Sequence, residues 1–305
     1  MNNKIRVYDT RTFTTQFMPA HELHSMFRGD LNSFFIVPVQ KMIRHVHKPV
    51  PASKTDNHTL IFLTAGTAFM KIGDRKHTIV KDQVLVVPAG QVFSFEAYDE
   101  SKFNRGFIFN FNPRLLSEVI GPGRLLKEPE FLKIWGDHRL ALDRQTARYV
   151  RQLLERLHTE YARNGQNNLA LIKSYLLTLL CELDHATRPA TPAKPNAGMT
   201  LSHRFRELLA KNITTAHRVS EYAALLHVTP NHLNKMVKTA TGRSPTKWID
   251  EHLILEAKVL LCQTTLSVGE ISAALGIEDQ SYFSRLFKKY ENITPLGYRK
   301  RIEMS

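Results

Sequence analysis

Val219-Ser-Glu-Tyr-Ala-Ala-Leu-Leu-His-Val228 returns 49 residues later as Val268-Gly-Glu-Ile-Ser-Ala-Ala-Leu-Gly-Ile277. One extra residue in the turn raises the offset to 50, which aligns Leu233 with Phe283, Lys235 with Arg285, Lys238 with Lys288 and Pro245 with Pro295. The pattern is a duplicated supersecondary unit. Each copy reads as a short helix, a tight turn and a second helix with polar residues outward, which is what a helix-turn-helix needs. The small pairs Ala223-Ala224 and Ala273-Ala274 are expected where the first helix packs closely. In the second copy Gly276 is free to take positive φ, and Ser267-Val-Gly-Glu270 can form a capping box. His227 stands at the turn of the first copy. Either copy alone would fit any helical hairpin; two copies, each with a polar second helix that ends in lysine, favour double-stranded DNA as the partner.

Around the repeat, Thr229-Pro230, Ser244-Pro245 and Thr294-Pro295 mark helix starts, with a hydroxyl to cap and a proline in the first turn, where its missing N–H costs nothing. Thr246 to Gln263 reads as one helix joining the copies, with Trp248, Ile249, Leu253, Leu260 and Leu261 placed to pack. For both second helices to enter the major groove on one DNA face they must lie about 34 Å apart. In the first, Asn231, His232, Asn234 and Lys235 lie opposite the apolar stripe Leu233, Met236 and Val237, and are expected to contact bases. In the second, Phe283, Leu286 and Phe287 should face the core, leaving Gln280, Ser281, Ser284 and Arg285 for the groove. Arg285 suits a bidentate contact to guanine and Gln280 one to adenine; Lys238, Lys288 and Lys289 suit phosphate.

Residues from about Leu201 to Arg301 resemble the DNA-binding domain of the AraC family of transcription regulators. The most specific match is Asp279-Gln-Ser-Tyr-Phe-Ser-Arg-Leu-Phe-Lys-Lys289 followed by Thr294-Pro295 and Tyr298-Arg299. Leu253-Ile-Leu-Glu-Ala-Lys258 resembles the family's connecting helix. Asn292 stands where the family usually has glycine, a mild change because asparagine tolerates the left-handed conformation. His252 stands where an arginine is common. The resemblance extends more loosely to Thr59–Phe95, where Leu63-Thr-Ala-Gly66 and Val87-Pro-Ala-Gly90 look like the cupin-type barrel that many members use to bind a small effector. It implies an effector-controlled, sequence-specific DNA-binding regulator.

The residues of the first half give their own reading. Short β-rich runs at Ser33–Val39, Leu60–Thr64, Ala68–Ile72, Val84–Val87, Val92–Glu96 and Phe103–Phe111, separated by turn residues, indicate a small antiparallel barrel or sandwich. From Asp143 to Asp184 the period changes to 3.6, giving two helices broken near Asn164-Gly165. The leucine-rich stripe of this pair suggests a homodimer. Thr187 to Met199, with three prolines, reads as a linker. The expected fold is therefore α+β in two domains: a cupin-like effector-binding and dimerisation domain at 1–186, a linker at 187–199, and an all-α domain with two helix-turn-helix units at 200–305.

Histidines 45, 47 and 58 raise the question of a metal, since metal-binding cupins use a His-X-His pair, a carboxylate and a later histidine. The second cupin segment, Pro88-Ala-Gly-Gln-Val-Phe-Ser-Phe95, has no histidine, and Asp56 is the nearby carboxylate, so no metal is expected there. His77 falls in a polar hairpin and reads as a surface residue. Phe62, Phe69, Phe93, Phe95, Phe107 and Phe109 read as barrel core, some of them candidates to line a pocket whose residues stay unassigned. No phosphate loop, nucleophile elbow or catalytic carboxylate pair stands out, so neither an enzyme nor a cofactor is expected. The competing readings are a cupin metalloenzyme with an appended helical domain, and a barrel that only dimerises.

The 305 residues are 43% hydrophobic, enough for two cores, and carry 42 Lys and Arg against 28 Asp and Glu, a net charge of +14. Anionic partners are attracted, nucleic acid foremost. Yet from Thr200 onward there are 15 basic and 10 acidic residues, so +9 of the excess falls on the first 199. Charge alone cannot place the DNA-binding surface. The two cysteines, Cys181 and Cys262, form no disulfide framework, and no signal peptide or membrane span is evident, which leads to the expectation of a cytoplasmic protein. RNA polymerase is a further candidate partner.

Overall fold

The computed structural model describes residues 26–43, 50–73, 75–95, 103–121, 126, 128–134, 136–188 and 197–303. They divide into two compact units, the first built chiefly on Lys54–Pro189 and the second on Ala190–Ser305.

The first unit contains β1 (Phe34–Pro38), α1 (Val39–Ile43), β2 (Val50–Lys54), β3 (His58–Ala65), β4 (Thr67–Ile72), β5 (Arg75–Val80), β6 (Gln83–Val87), β7 (Val92–Phe95), β8 (Arg105–Phe111) and β9 (Arg139–Ala141). They form a five-stranded sheet in the order β1-β8-β3-β6-β9 and a four-stranded sheet in the order β2-β7-β4-β5. Alternation along β3 explains the layering. Ile61 and Leu63 join Met70, Ile72, Ile79, Leu85, Val87 and Phe93 in the core between the sheets. Leu60 and Phe62 point the other way, into a second core covered by the helices α2 (Arg144–Asn164) and α3 (Leu169–Thr187). Both faces of the central strands are buried, so they read as continuous apolar runs rather than as alternation.

Three strands escape the sequence pattern. β2 carries Pro51, β9 has only three residues, and β5 is a polar edge whose Ile79 alone is buried. Of the six phenylalanines expected in the barrel core, only Phe93 and Phe95 belong to the inter-sheet cluster. Phe62, Phe107 and Phe109 pack beneath the helices, and Phe69 lies under the Lys76 ammonium, 5.3 Å from its ring centre. The leucine stripe is also spent internally. Val150, Leu154, Leu157, Ile172, Leu176, Leu179 and Leu180 are fully buried in the unit's own core, and Leu153 and Leu169 are half-buried against it, so the stripe is no argument for a partner chain. Asp143 caps α2 by accepting from the main-chain N–H of Gln145 and Thr146, and Gly165 at φ 59 ends it where the break was expected.

The second unit contains α4 (Ala197–Asn212), α5 (Val219–Leu225), α6 (Pro230–Thr241), α7 (Pro245–Gln263), α8 (Val268–Ala274), α9 (Gln280–Glu291) and α10 (Pro295–Glu303). Helix α4 starts three residues before Thr200, and residues 189–196 of the expected linker lie outside the described residues. Leu253, Ile254, Ala257, Leu260 and Leu261 of α7 join residues from the helices on either side of it in one core. At roughly 1.5–3 kcal/mol for each large apolar side chain buried, these contacts dominate what fixes the two halves together.

Candidate nucleic-acid interface

Two helix pairs, α5–α6 and α8–α9, repeat one local design. Leu233 and Val237 anchor α6, and Phe283, Leu286 and Phe287 anchor α9. The close-packed small residues are Ala223 and Ser272, one pair 49 apart, whereas Ala224 and Ala273 are exposed; the expectation that both members of each alanine pair pack inward is corrected accordingly. Ser272 turns its hydroxyl onto the carbonyl of Ile277 at 2.6 Å, which closes the second turn with a buried hydrogen bond. The turn residues themselves take the left-handed conformation, Gly276 at φ 74 and His227 at φ 56.

Capping follows the sequence closely. Thr229 accepts from His232 N, Ser244 from Lys247 N, and Thr294 from Gly297 N. The Ser267–Glu270 box is formed in both directions. Its counterpart in the first copy was missed: Glu221 accepts from the main-chain N–H of both His217 and Arg218. The signal was available, because Glu221 and Glu270 are aligned in the repeat.

On α6, Asn231, His232, Lys235 and Lys238 are exposed and Asn234 is half-buried. On α9, Gln280, Ser281, Arg285, Lys288 and Lys289 are exposed and Ser284 is half-buried. Thus none of the residues named for the interface is buried, and those at equivalent positions of the two copies have the same exposure. Helix α6 contains no acidic residue, and the one acid in α9, Glu291, is engaged by the Lys258 ammonium at 2.8 Å. The outward surfaces of both helices are therefore polar to cationic. Asp279 at the start of α9 accepts from Ser281 N and Tyr282 N; the Tyr282 hydrogen bond leads the causes that hold its carboxyl below the usual range. Its carboxylate lies 3.7 Å from the Arg285 guanidinium, both groups well exposed, and such pairs are worth little. Tyr282 was not named from the sequence, yet the residue is 48% exposed on the same helix face as Arg285 and stands where the first copy has His232.

A polar frame holds α9 to α7. Tyr290 donates its hydroxyl to Asp250, and Arg299 reaches the carbonyls of Leu261 and Thr264 at the end of α7. Trp248 donates to Thr241 Oγ1, with the guanidiniums of Arg206 and Arg243 each 5.7 Å from its ring centre. His252 turns Nδ1 to the carbonyl of Trp248 one turn earlier in its own helix.

Residues 222–301 match a helix-turn-helix domain profile, and residues 38–180 match the AraC-like ligand binding domain. This chain belongs to the AraC family. It is a DNA-binding transcription regulator whose first half is a ligand-binding domain. The HTH-type transcriptional activator RhaR of Cronobacter sakazakii is 23% identical over 274 residues, which cover 88% of this chain and 94% of the relative. The MmsAB operon regulatory protein of Pseudomonas aeruginosa is 25% identical over 251 residues, covering 81% of this chain and 76% of that protein. Unsaturated fatty acid bound ToxT from Vibrio cholerae is 15% identical, with 90% of this AraC-family chain and 97% of that one covered and a TM-score of 0.47.

In the ligand-binding half, His58 is buried and accepts from the main-chain N–H of Ala89 at Nδ1; burial lowers its pKa to about 4. That nitrogen is occupied, so it is no metal ligand. His45 and His47 lie outside the described residues. A groove of about 490 Å³ opens on this unit, lined among others by Gln83, Glu130, Asp137, Arg139 and Thr187, outside the inter-sheet core. No helix among the described residues is long and apolar enough to cross a membrane.

Proposed function

We propose that this regulator reads its operator with both second helices, Asn231, His232, Asn234 and Lys235 of α6 and Gln280, Ser281, Ser284 and Arg285 of α9 addressing base edges, while Lys238, Lys288 and Lys289 address phosphates. The observation that carries this reading is the pairing of exposed polar positions across the repeat, with a cation at the equivalent sites 235 and 285. Arg285→Ala should cost about 1–3 kcal/mol and relax preference at one base pair, whereas Lys288→Ala should weaken all sequences alike and flatten the salt dependence. Equal losses on specific and non-specific DNA for Arg285→Ala would make it a backbone contact and sink the placement of α9.

The same reading assigns effector binding to the barrel domain at 1–186, a linker at 187–199 and DNA binding to 200–305, in a cytoplasmic, non-enzymatic homodimer that works on RNA polymerase. The regulatory character of both matched domains supports it. Since the leucine stripe is buried, the dimer surface has to be another face; α3 exposes Ala170, Ser174, Thr178 and Cys181 along one side, small enough for close helix approach. Sedimentation of the full chain with and without Thr178→Arg tests this, and an unchanged dimer would exclude that face.

A further inference from the structure

β5 runs at the edge of one sheet and β9 at the edge of the other, and a ring pair brings the two edges together. His77 lies on the face of β5 that also carries the buried Ile79, and is itself half-buried rather than the surface residue the sequence indicated. His138 directly precedes β9, tied to β6 by the Val86 N–H donating to its carbonyl at 2.8 Å. The residue is only 9% exposed, and its ring centre lies 5.7 Å from that of His77, with the planes inclined at 63°. The His138 Nε2 is buried and has no hydrogen-bond partner. His138 Nε2 is thus a buried ring nitrogen without a partner, facing a second imidazole, and a metal ion is one partner that such a nitrogen takes.

We propose that His77 and His138 bind a divalent transition-metal ion of the zinc, nickel or copper class at the seam between the two sheets. With metal–nitrogen bonds of about 2.0–2.1 Å, each ring centre stands roughly 3.2 Å from the ion, and two rings subtending about 125° are then about 5.7 Å apart. The observed separation of the ring centres matches that distance. Among the described residues no group of three or more His, Cys, Asp or Glu is gathered for a metal, so the remaining positions belong to water or a small anion. Imidazole pairs select this class of ion over calcium or magnesium. The site is separate from the cupin positions, and its ion would tie the segment before β9 to β5, just ahead of the Asp143 cap of α2.

The test uses the full-length chain stripped with a chelator and then titrated with zinc, followed by calorimetry and by thermal unfolding, with cobalt as the absorbing probe. Wild type should take up one ion at the seam, gain in melting temperature, and show cobalt d–d bands; His77→Gln and His138→Gln should each weaken that binding at least tenfold and abolish the gain. The chain has 14 histidines, so the comparison with the variants, not uptake alone, decides. If His138→Gln fails to fold, the less buried His77→Gln carries the test. Zinc affinity and stabilisation that stay the same in His77→Gln, or a wild type whose melting temperature zinc does not raise, would overturn the proposal.

Discussion

The two turns of the repeat show how far a single residue decides a conformation. Gly276 at φ 74 lies so close to the carbonyl of Thr214 that an added Cβ would collide with it. Gly276→Ala should therefore destabilise the second unit by about 1–3 kcal/mol, measurable by urea unfolding. His227 takes the same backbone conformation with a side chain that L-residues accommodate poorly there. His227→Gly should be neutral or raise stability by up to about 1 kcal/mol, in the opposite direction, and a loss comparable to that at Gly276 would show that His227 is needed for its side chain. At this scale the sequence was legible where backbone chemistry is singular: Gly276, and Asn292 at φ 59 ending α9 as Gly242 at φ 72 ends α6. It was illegible where two small residues were adjacent, since nothing in Ala273-Ala274 reveals that Ser272 is the one that packs.

At the scale of the element, helix starts carry the acid sensitivity. Glu221 and Glu270 each accept main-chain N–H groups at a first turn, and these hydrogen bonds are the leading reason their carboxyls titrate below the ordinary 4.5. A depressed carboxylate stabilises the fold above its unfolded value and loses that contribution as pH falls through the folded one. Urea unfolding from pH 6 downward should hold steady to about pH 4.5 and then decline. Glu221→Gln with Glu270→Gln should begin lower and decline less steeply; an identical slope would place the acid sensitivity elsewhere. Hydroxyl-proline starts were readable because both residues act locally. β2, β5 and β9 were not, because a strand only a few residues long is recognised by its neighbours' hydrogen bonds rather than by its own pattern.

Across the whole of the helical unit, an ion pair between residues far apart in sequence ties α9 to α7. The Lys258 ammonium is 8% exposed and pairs with Glu291 at the end of α9. Lys258→Ala leaves a partly buried carboxylate without its cation and should cost on the order of 3 kcal/mol in stability. If α9 is held in register by this pair, operator affinity should fall as well, at a salt dependence unchanged from wild type; affinity preserved at full strength would show that packing alone sets the register. Such a tie joins residues 33 apart, and no periodicity announces it; the same holds for His77 and His138, drawn together only when the sheets close.

The connecting helix α7 has 19 residues, a rod of about 28 Å. Because a helix cannot stretch, it acts as a ruler whose graduations are residues, each worth about 1.5 Å and 100° of rotation. Adding one alanine near Glu256 would turn the second reading head away from the DNA face that the first one occupies. If both second helices read the operator, as proposed, the spacing and phase between its two halves are set by the length of one α-helix. A single inserted base pair between those halves should be rejected about as strongly as the loss of one half, a comparison that gel-shift titration on spaced operators would measure directly.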